Sequence, residues 1–414
     1  MKTIDNIMSK LCIAWAGLSL LLSVHACKDN ADTFELSDGV PTIRYVRVPD
    51  EMVSDSLLTG AFLGNSIAII GENMKSVSEI WFNDQKAVLN TSFMTDEVII
   101  VSVPREIPAH VTDKIYFVNK SKRDTVAYGF NVLVPPPAVV AMACEHVPEG
   151  EVAVLTGNYF LPTAEHDNPV VVFTPNIEVT EVVSYTQTAI EVVVPPGAQE
   201  GPVSVRSRYG TTRSTFYFRD TRGMITNYDA DYPIVNSWGR AGRLESDPAY
   251  ALSGNYLKLS GSFPEPTEWS AASESEGLSH YWGNENGRTG PLFEGDPAEM
   301  VMKFEAYVPN RWSAVGLSFI FAPTGTTNGP LYEDDKPRAI WMPWRNTGSY
   351  QTDGWVTVAI PLTEFKYNGA GSSVNALPAA YENLNIFLAN RGLVYVGTAC
   401  DPVILMDNLR IVPQ

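Results

Sequence analysis

Positive charge is scarce in this chain. Its 414 residues hold 29 Lys and Arg against 47 Asp and Glu, a formal net charge of −18. Nucleic-acid binding rests on Lys and Arg neutralising phosphates, so no nucleic-acid partner is expected. Acidic polysaccharides are disfavoured too, because long-range repulsion slows their approach; a neutral ligand fits better. Histidine is rarer still, at five residues. Beyond His25, His110, His146, His166 and His280 show no metal-ligand spacing. A Gly-x-Ser-x-Gly nucleophile elbow and a phosphate-binding loop are both missing. Of the four cysteines, only Cys144 and Cys400 lie beyond residue 27. Cys144 and Cys400 could pair in an oxidising compartment, but their apolar neighbours favour packing as small hydrophobes. After residue 27 no apolar run reaches the roughly 20 residues a membrane helix needs. Neither a cofactor nor a metal site is expected.

The first residues carry a different signal. Lys2 and Lys10 precede a mostly apolar run from Leu11 to Leu22, followed by Ser23-Val24-His25-Ala26-Cys27. The run is too short to span a bilayer and has the layout of a secretory signal. A small residue directly before a cysteine resembles a bacterial lipobox. That resemblance implies cleavage before Cys27 and lipidation of Cys27, with residues 1–26 as the signal peptide. Several acyl chains hold well, since each buried methylene contributes about 0.8 kcal/mol. Residues 27–40 are polar and short of aromatics, and read as a flexible tether.

From Pro41 the chain becomes a series of short alternating runs broken by Gly, Pro and Asn, without helical period. Turn signals every 8–12 residues or so mark β-sandwiches. The pattern occurs twice. Ile67-Ala68-Ile69-Ile70-Gly71-Glu72-Asn73-Met74 is echoed by Val152-Ala153-Val154-Leu155-Thr156-Gly157-Asn158-Tyr159-Phe160. Val98 to Pro104 is echoed by Ile190-Glu191-Val192-Val193-Val194-Pro195. Pro135-Pro136-Pro137 between the copies reads as a stiff spacer. The expected domains are therefore 41–134, 135–220 and a larger sandwich over 221–414. The Gly-Glu-Asn and Gly-Asn-Tyr-Phe turns and the Val-Pro after the fifth strand resemble IPT/TIG domains, a branch of immunoglobulin-like folds. Such units serve most simply as spacers.

Seven of the nine tryptophans fall within 221–414. In Met300–Tyr307, alternation puts Met300, Met302, Phe304 and Ala306 on a core face and Val301, Lys303, Glu305 and Tyr307 on a polar one. Tyr307 is then an aromatic ring on a polar face. Trp312 follows the turn Pro309-Asn310-Arg311 and is expected to be exposed. If Ile340 and Met342 point inward, Trp341 points outward; Pro343 breaks the pattern before Trp344. Tyr281-Trp282-Gly283-Asn284 reads as a polar loop. Exposed aromatic rings mark binding surfaces. A flat indole covers the apolar C–H face of a pyranose, while polar side chains at its edge bond the hydroxyls. The expected ligand contacts are Trp312, Trp341, Trp344, Trp282, Tyr307 and Asn346. Trp238, Trp269 and Trp355 are assigned to the core.

A lipobox, tandem immunoglobulin-like units and a Trp-rich C-terminal sandwich together resemble the surface glycan-binding proteins of polysaccharide-utilisation systems in Bacteroidota. Gly254-Asn255-Tyr256-Leu257-Lys258-Leu259-Ser260-Gly261, Trp341-Met342-Pro343-Trp344, Gly354-Trp355-Val356-Thr357-Val358-Ala359-Ile360-Pro361-Leu362 and Met406-Asp407-Asn408-Leu409 resemble their xyloglucan-binding domain. Lys28-Asp29-Asn30 resembles the acidic signal for export to the outer face. The resemblance implies a lipid-anchored protein of the outer membrane surface. It would bind a neutral β-glucan or hemicellulose, with xyloglucan ahead of mixed-linkage β-glucan and laminarin. An outer-membrane glycan transporter complex would be its neighbour. Two alternatives stay open. One is a surface adhesin for a protein partner. The other is a glycoside hydrolase, whose two carboxyl groups would stand about 5–9.5 Å apart; neither Glu285 nor Glu333-Asp334-Asp335 picks out such a pair.

Overall fold

The computed structural model describes residues 35–53, 55–120, 124–234, 244–264, 270–323, 336–368, 372–373, 381–390 and 397–414. Cys27 and its surroundings, Trp238, Trp269 and Glu333-Asp334-Asp335 lie outside them. The chain divides into two compact units, Met1–Val134 and Pro135–Gln414.

In the first unit, Thr42–Arg47, Ser66–Glu72 and Val98–Ser102 form one antiparallel sheet. Gln85–Lys86, Val77–Phe82, Lys114–Asn119 and Thr125–Gly129 form the other. Ile67, Ile69 and Ile99 from one sheet meet Ile80, Phe82, Ile115 and Phe117 from the other in a single core. The last residues expected in the tether are tied to this unit: Ser37 N donates to Lys75 O at 3.2 Å, and Lys120 Nζ donates to Leu36 O at 3.1 Å.

The repeated sequence motif has a steric cause. A Cβ on Gly71 would lie 2.1 Å from Thr42 O, and one on Gly157 would lie 1.8 Å from Ala138 O. At both sites the first strand bulges as it pairs with the glycine-bearing strand, between Ile43 and Tyr45 and between Val139 and Ala141. Only glycine permits that approach. Asn73 and Tyr159 then turn through positive φ, delivering the fully buried Met74 and Phe160.

Within the second unit, Ala138–Met142, Val152–Asn158, Ala189–Val193 and Ser184–Tyr185 face Ile177–Val179, Val170–Phe173, Gly201–Ser207 and Gly210–Phe218 across a second immunoglobulin-like core. The larger sandwich follows. Its six-stranded sheet runs Leu244–Glu245, Tyr256–Ser260, Val403–Pro413, Met300–Tyr307, Val356–Pro361, with Met224–Thr226 also on Val403–Pro413. Its four-stranded sheet runs Leu278–Trp282, Asn383–Ala389, Gly316–Ala322, Arg338–Trp341. The architecture is all-β: two tandem immunoglobulin-like sandwiches and a larger jelly-roll-like one. Both Cys144, which is buried, and Cys400 are free thiols.

Alternation in Met300–Tyr307 holds, with Met302, Phe304 and Ala306 fully buried in the core. The opposite face is not solvated, however. Glu305, Asp407 and Arg410 on it are fully buried. Asp407 Oδ1 accepts the Asn408 N–H at 2.7 Å, whereas Oδ2 has no hydrogen-bond partner among the described residues. Burial, reinforced by the Glu305 and Asp229 carboxylates, pushes the Asp407 carboxyl up to about 9. From about pH 4, where an unfolded aspartate loses its proton, up to about 9, the folded state binds more protons. This group's contribution to stability therefore falls as pH rises through that window. Asp407→Asn removes the dependence. Urea unfolding at stepped pH is expected to show the variant gaining on the wild type by about 1.4 kcal/mol per pH unit across the window; a pH-independent difference contradicts the assignment.

Candidate functional site

The residues expected to form an aromatic platform do not share one exposed surface. Trp312 is fully buried, donating from Nε1 to Ala314 O at 2.7 Å. The turn before it returns the chain to the sandwich, where Trp312 exchanges backbone hydrogen bonds with Tyr350. Trp344, in a short 3-10 turn, is also buried and donates to Val315 O at 2.8 Å. Trp341 pairs with Leu317, a core residue, so its side chain shares the core face. Its ring meets Phe304, Trp312 and Tyr350 edge-on, with centroids 5.2–5.8 Å apart. The outward residue is Ile340, opposite Ser318. Tyr307 is half-buried on the other sheet, beside Tyr250 and Trp355. Asn346 is exposed in the turn after Trp344. Trp355 packs partly against the second immunoglobulin-like core.

Trp282 is the exception. Leu278–Trp282 is an edge strand rather than a loop. Tyr281 points into the core, where burial raises its hydroxyl pKa despite nearby Arg288. Trp282 points the other way, 7 % exposed, and stacks on His280 with centroids 5.3 Å apart and planes 20° from parallel.

Register assembles a polar face around that stack. Trp282 lies opposite Asn383 and His280 opposite Asn385; across the next strand boundary Asn385 faces Ile320, and Ser318 faces Phe387. Arg338 sits opposite Ile320 on the last strand. Leu384, Ile386 and Leu388 alternate with these residues and enter the core. The outer face of one sheet thus carries Trp282, His280, Asn383, Asn385, Ser318 and Arg338, all buried, alongside an apolar cluster of Leu278, Ile320, Phe387 and Ala389.

Part of the face is internally satisfied. His280 Nδ1 and Asn385 Oδ1 share a hydrogen bond. Asn383 accepts from Gly283 N at 3.0 Å and donates to Pro323 O at 2.9 Å. Three atoms have no hydrogen-bond partner among the described residues: Trp282 Nε1, Ser318 Oγ and Asn385 Nδ2. An indole, an amide donor and a hydroxyl therefore lie unsatisfied along one sheet face, where each such group costs about 1–3 kcal/mol. Exposed Asn284 and Glu285 follow directly on the edge strand. Among the described residues no three His, Cys, Asp or Glu gather closely enough to hold a metal ion. The sequence does carry a signal for this face: Asn383 and Asn385, like His280 and Trp282, recur at period two within apolar strands.

A family model described as the surface glycan-binding protein B xyloglucan binding domain matches residues 218–413. The crystal structure of surface glycan-binding protein PbSGBP-B from Prevotella bryantii is 31 % identical, with a TM-score of 0.77, covering 91 % of this chain and 100 % of that one. A curated IPT/TIG domain-containing protein of Bacteroides ovatus is 24 % identical over 231 residues, 52 % of this chain and 46 % of that protein. The chain thus spans about half the length of that curated relative. SGBP-B from a complex xyloglucan utilization locus in Bacteroides uniformis is 14 % identical with a TM-score of 0.46, covering 91 % of this chain and 100 % of that one.

Core and face respond differently to substitution. Trp312→Ala is expected to lower stability by about 3–5 kcal/mol through the cavity it leaves. Ser318→Ala removes an unsatisfied hydroxyl and is expected to leave stability unchanged or raise it by about 1 kcal/mol. Denaturant unfolding of the two variants checks both; a Ser318→Ala loss above 1 kcal/mol contradicts the description of that hydroxyl.

Proposed function

The chain belongs to the surface glycan-binding protein B family, and from that premise we propose that it captures a neutral β-glucan or hemicellulose, xyloglucan first, at the Trp282 edge of the four-stranded sheet. The observation that carries this reading is that Trp282 Nε1, Asn385 Nδ2 and Ser318 Oγ, spaced across three neighbouring strands of one sheet face, have no partner among the described residues. Sugar hydroxyls both donate and accept, so pyranoses admitted to this buried face can pair with the indole N–H, the amide and the hydroxyl. Only the 7 % of Trp282 left exposed can add apolar contact with a ring's C–H face, at roughly 25 cal/mol per Å² before ordering costs. The net charge of −18 favours a neutral polymer over an acidic one. Exposed Asn284 and Glu285 would meet the hydroxyls at the mouth of the face.

In the same proposal, residues 1–26 are removed and lipidated Cys27 holds the protein on the outer surface of the outer membrane. Domains 41–134 and 135–220 precede the binding sandwich 221–414. Binding proceeds without cleavage and keeps glycan close to an adjacent transporter or enzyme. Raised effective concentration lets modest affinity suffice.

Affinity electrophoresis tests the ligand. The wild type is expected to be retarded by xyloglucan without releasing reducing sugar. Trp282→Ala is expected to weaken retardation at least tenfold, about 1.4 kcal/mol, with its melting transition retained. Release of reducing sugar, wild-type retardation of Trp282→Ala, or indifference to every neutral glucan overturns the proposal. Separately, Cys27→Ala is expected to abolish incorporation of labelled fatty acid; undiminished labelling rules out that anchor.

A further inference from the structure

The outer face of the six-stranded sheet holds a buried charge cluster drawn from two domains. Arg410 is fully buried on Val403–Pro413. It donates to both carboxylate oxygens of Glu305, at 2.8 and 3.1 Å, and to Glu145 Oε2 at 2.7 Å. Lys303 Nζ reaches the other oxygen, Glu145 Oε1, at 2.6 Å. Glu305 and Lys303 come from the larger sandwich, and Glu145 from the second immunoglobulin-like domain. Backbone contacts accompany them: Thr357 N donates to Ala143 O, and Glu145 N to Thr357 Oγ1, each at 2.7 Å. Thr357 Oγ1 in turn donates to Glu305 Oε1 at 2.9 Å. Leu252 and Trp355 pack against the neighbouring core.

Charge balance decides what this arrangement means. The larger sandwich alone contributes Arg410 and Lys303 against Glu305, leaving one surplus positive charge. Neighbouring Asp407 does not supply the missing negative charge, because burial keeps its proton on up to about 9. His146 adds no positive charge near neutrality, since burial lowers it to about 4 despite the pull of Glu305. Glu145 completes a neutral quartet. A buried charge left unpaired is far costlier than a paired one.

We infer that the second immunoglobulin-like domain is an obligate half of the binding body: Pro135–Gln414 folds and unfolds as one cooperative unit, closed by the Glu145–Arg410–Glu305–Lys303 quartet. The domain is then more than a spacer.

Hydrogen exchange on the full chain, read by mass spectrometry, tests this without any glycan. In the wild type, Val152–Asn158 and Met300–Tyr307 are expected to share one opening equilibrium. Glu145→Gln is expected to lower protection in both by the same factor, at least tenfold, and to lower the melting midpoint of that body by on the order of 10 °C. Val77–Phe82 in the first unit is expected to be unaffected. Adding Lys303→Met restores neutrality and is expected to recover most of the loss. If Glu145→Gln fails to fold, Thr357→Val at the same seam provides the milder reading. Independent opening of the two strands in the wild type overturns the inference. So does loss of protection in only one strand, or a Glu145→Gln, Lys303→Met double variant no better than Glu145→Gln.

Discussion

Arg410 is the point on which the second unit turns. A guanidinium with no solvent exposure is tolerable only where carboxylates enclose it, and two do, from opposite sides of a domain boundary. Burial works against its charge, but Glu305 and Glu145 more than offset that and hold it firmly protonated. The same strand carries Ile404, Met406, Leu409 and Ile411 into the hydrophobic core. One strand thus joins the apolar interior of the larger sandwich to a polar seam with the neighbouring domain.

Both sheets of that sandwich have buried outer faces, and each carries polar groups for its own reason. The six-stranded sheet meets a domain whose Glu145 balances its charges. The four-stranded sheet carries Trp282, Ser318 and Asn385, whose unsatisfied atoms call for hydroxyl partners. Only the packed core separates the two faces. Phe304 of one sheet touches Phe319 of the other at 5.2 Å, and Phe319 stands between Ser318 and Ile320 of that outer face. The seam and the face therefore bear on opposite sides of one close-packed interior, where small displacements are costly.

Strand alternation was a good guide wherever one face was plainly apolar. It placed Met302, Phe304 and Ala306 in the core. It failed at Trp341, where Ile340 and Trp341 are both apolar and alternation alone cannot say which turns inward. Register answered that, by setting Trp341 against core Leu317. Trp312 and Trp344 were misplaced for another reason: each lies beside a turn, and a turn in sequence can lead a ring back inside as readily as out. Of the six expected contacts, Trp282 alone joins the polar face, while its partners Asn383 and Asn385 arrive from a strand about a hundred residues away in sequence.

The sequence alone determined the all-β class, the repeat of two immunoglobulin-like units and the separate character of the Trp-rich third. These follow from local causes: period-two alternation, Gly71 and Gly157 where only hydrogen fits, and turn residues between strands. Its acidic balance disfavours nucleic acid and acidic polysaccharides for an equally simple Coulombic reason. The tertiary structure alone decided which tryptophans enter the core and which lies on the outer face, which polar atoms remain unsatisfied, and that Glu145 belongs electrostatically to the larger sandwich. Those are properties of pairs of residues far apart in the chain. Burial and charge balance depend on what packs against a side chain, and no local pattern encodes that neighbour.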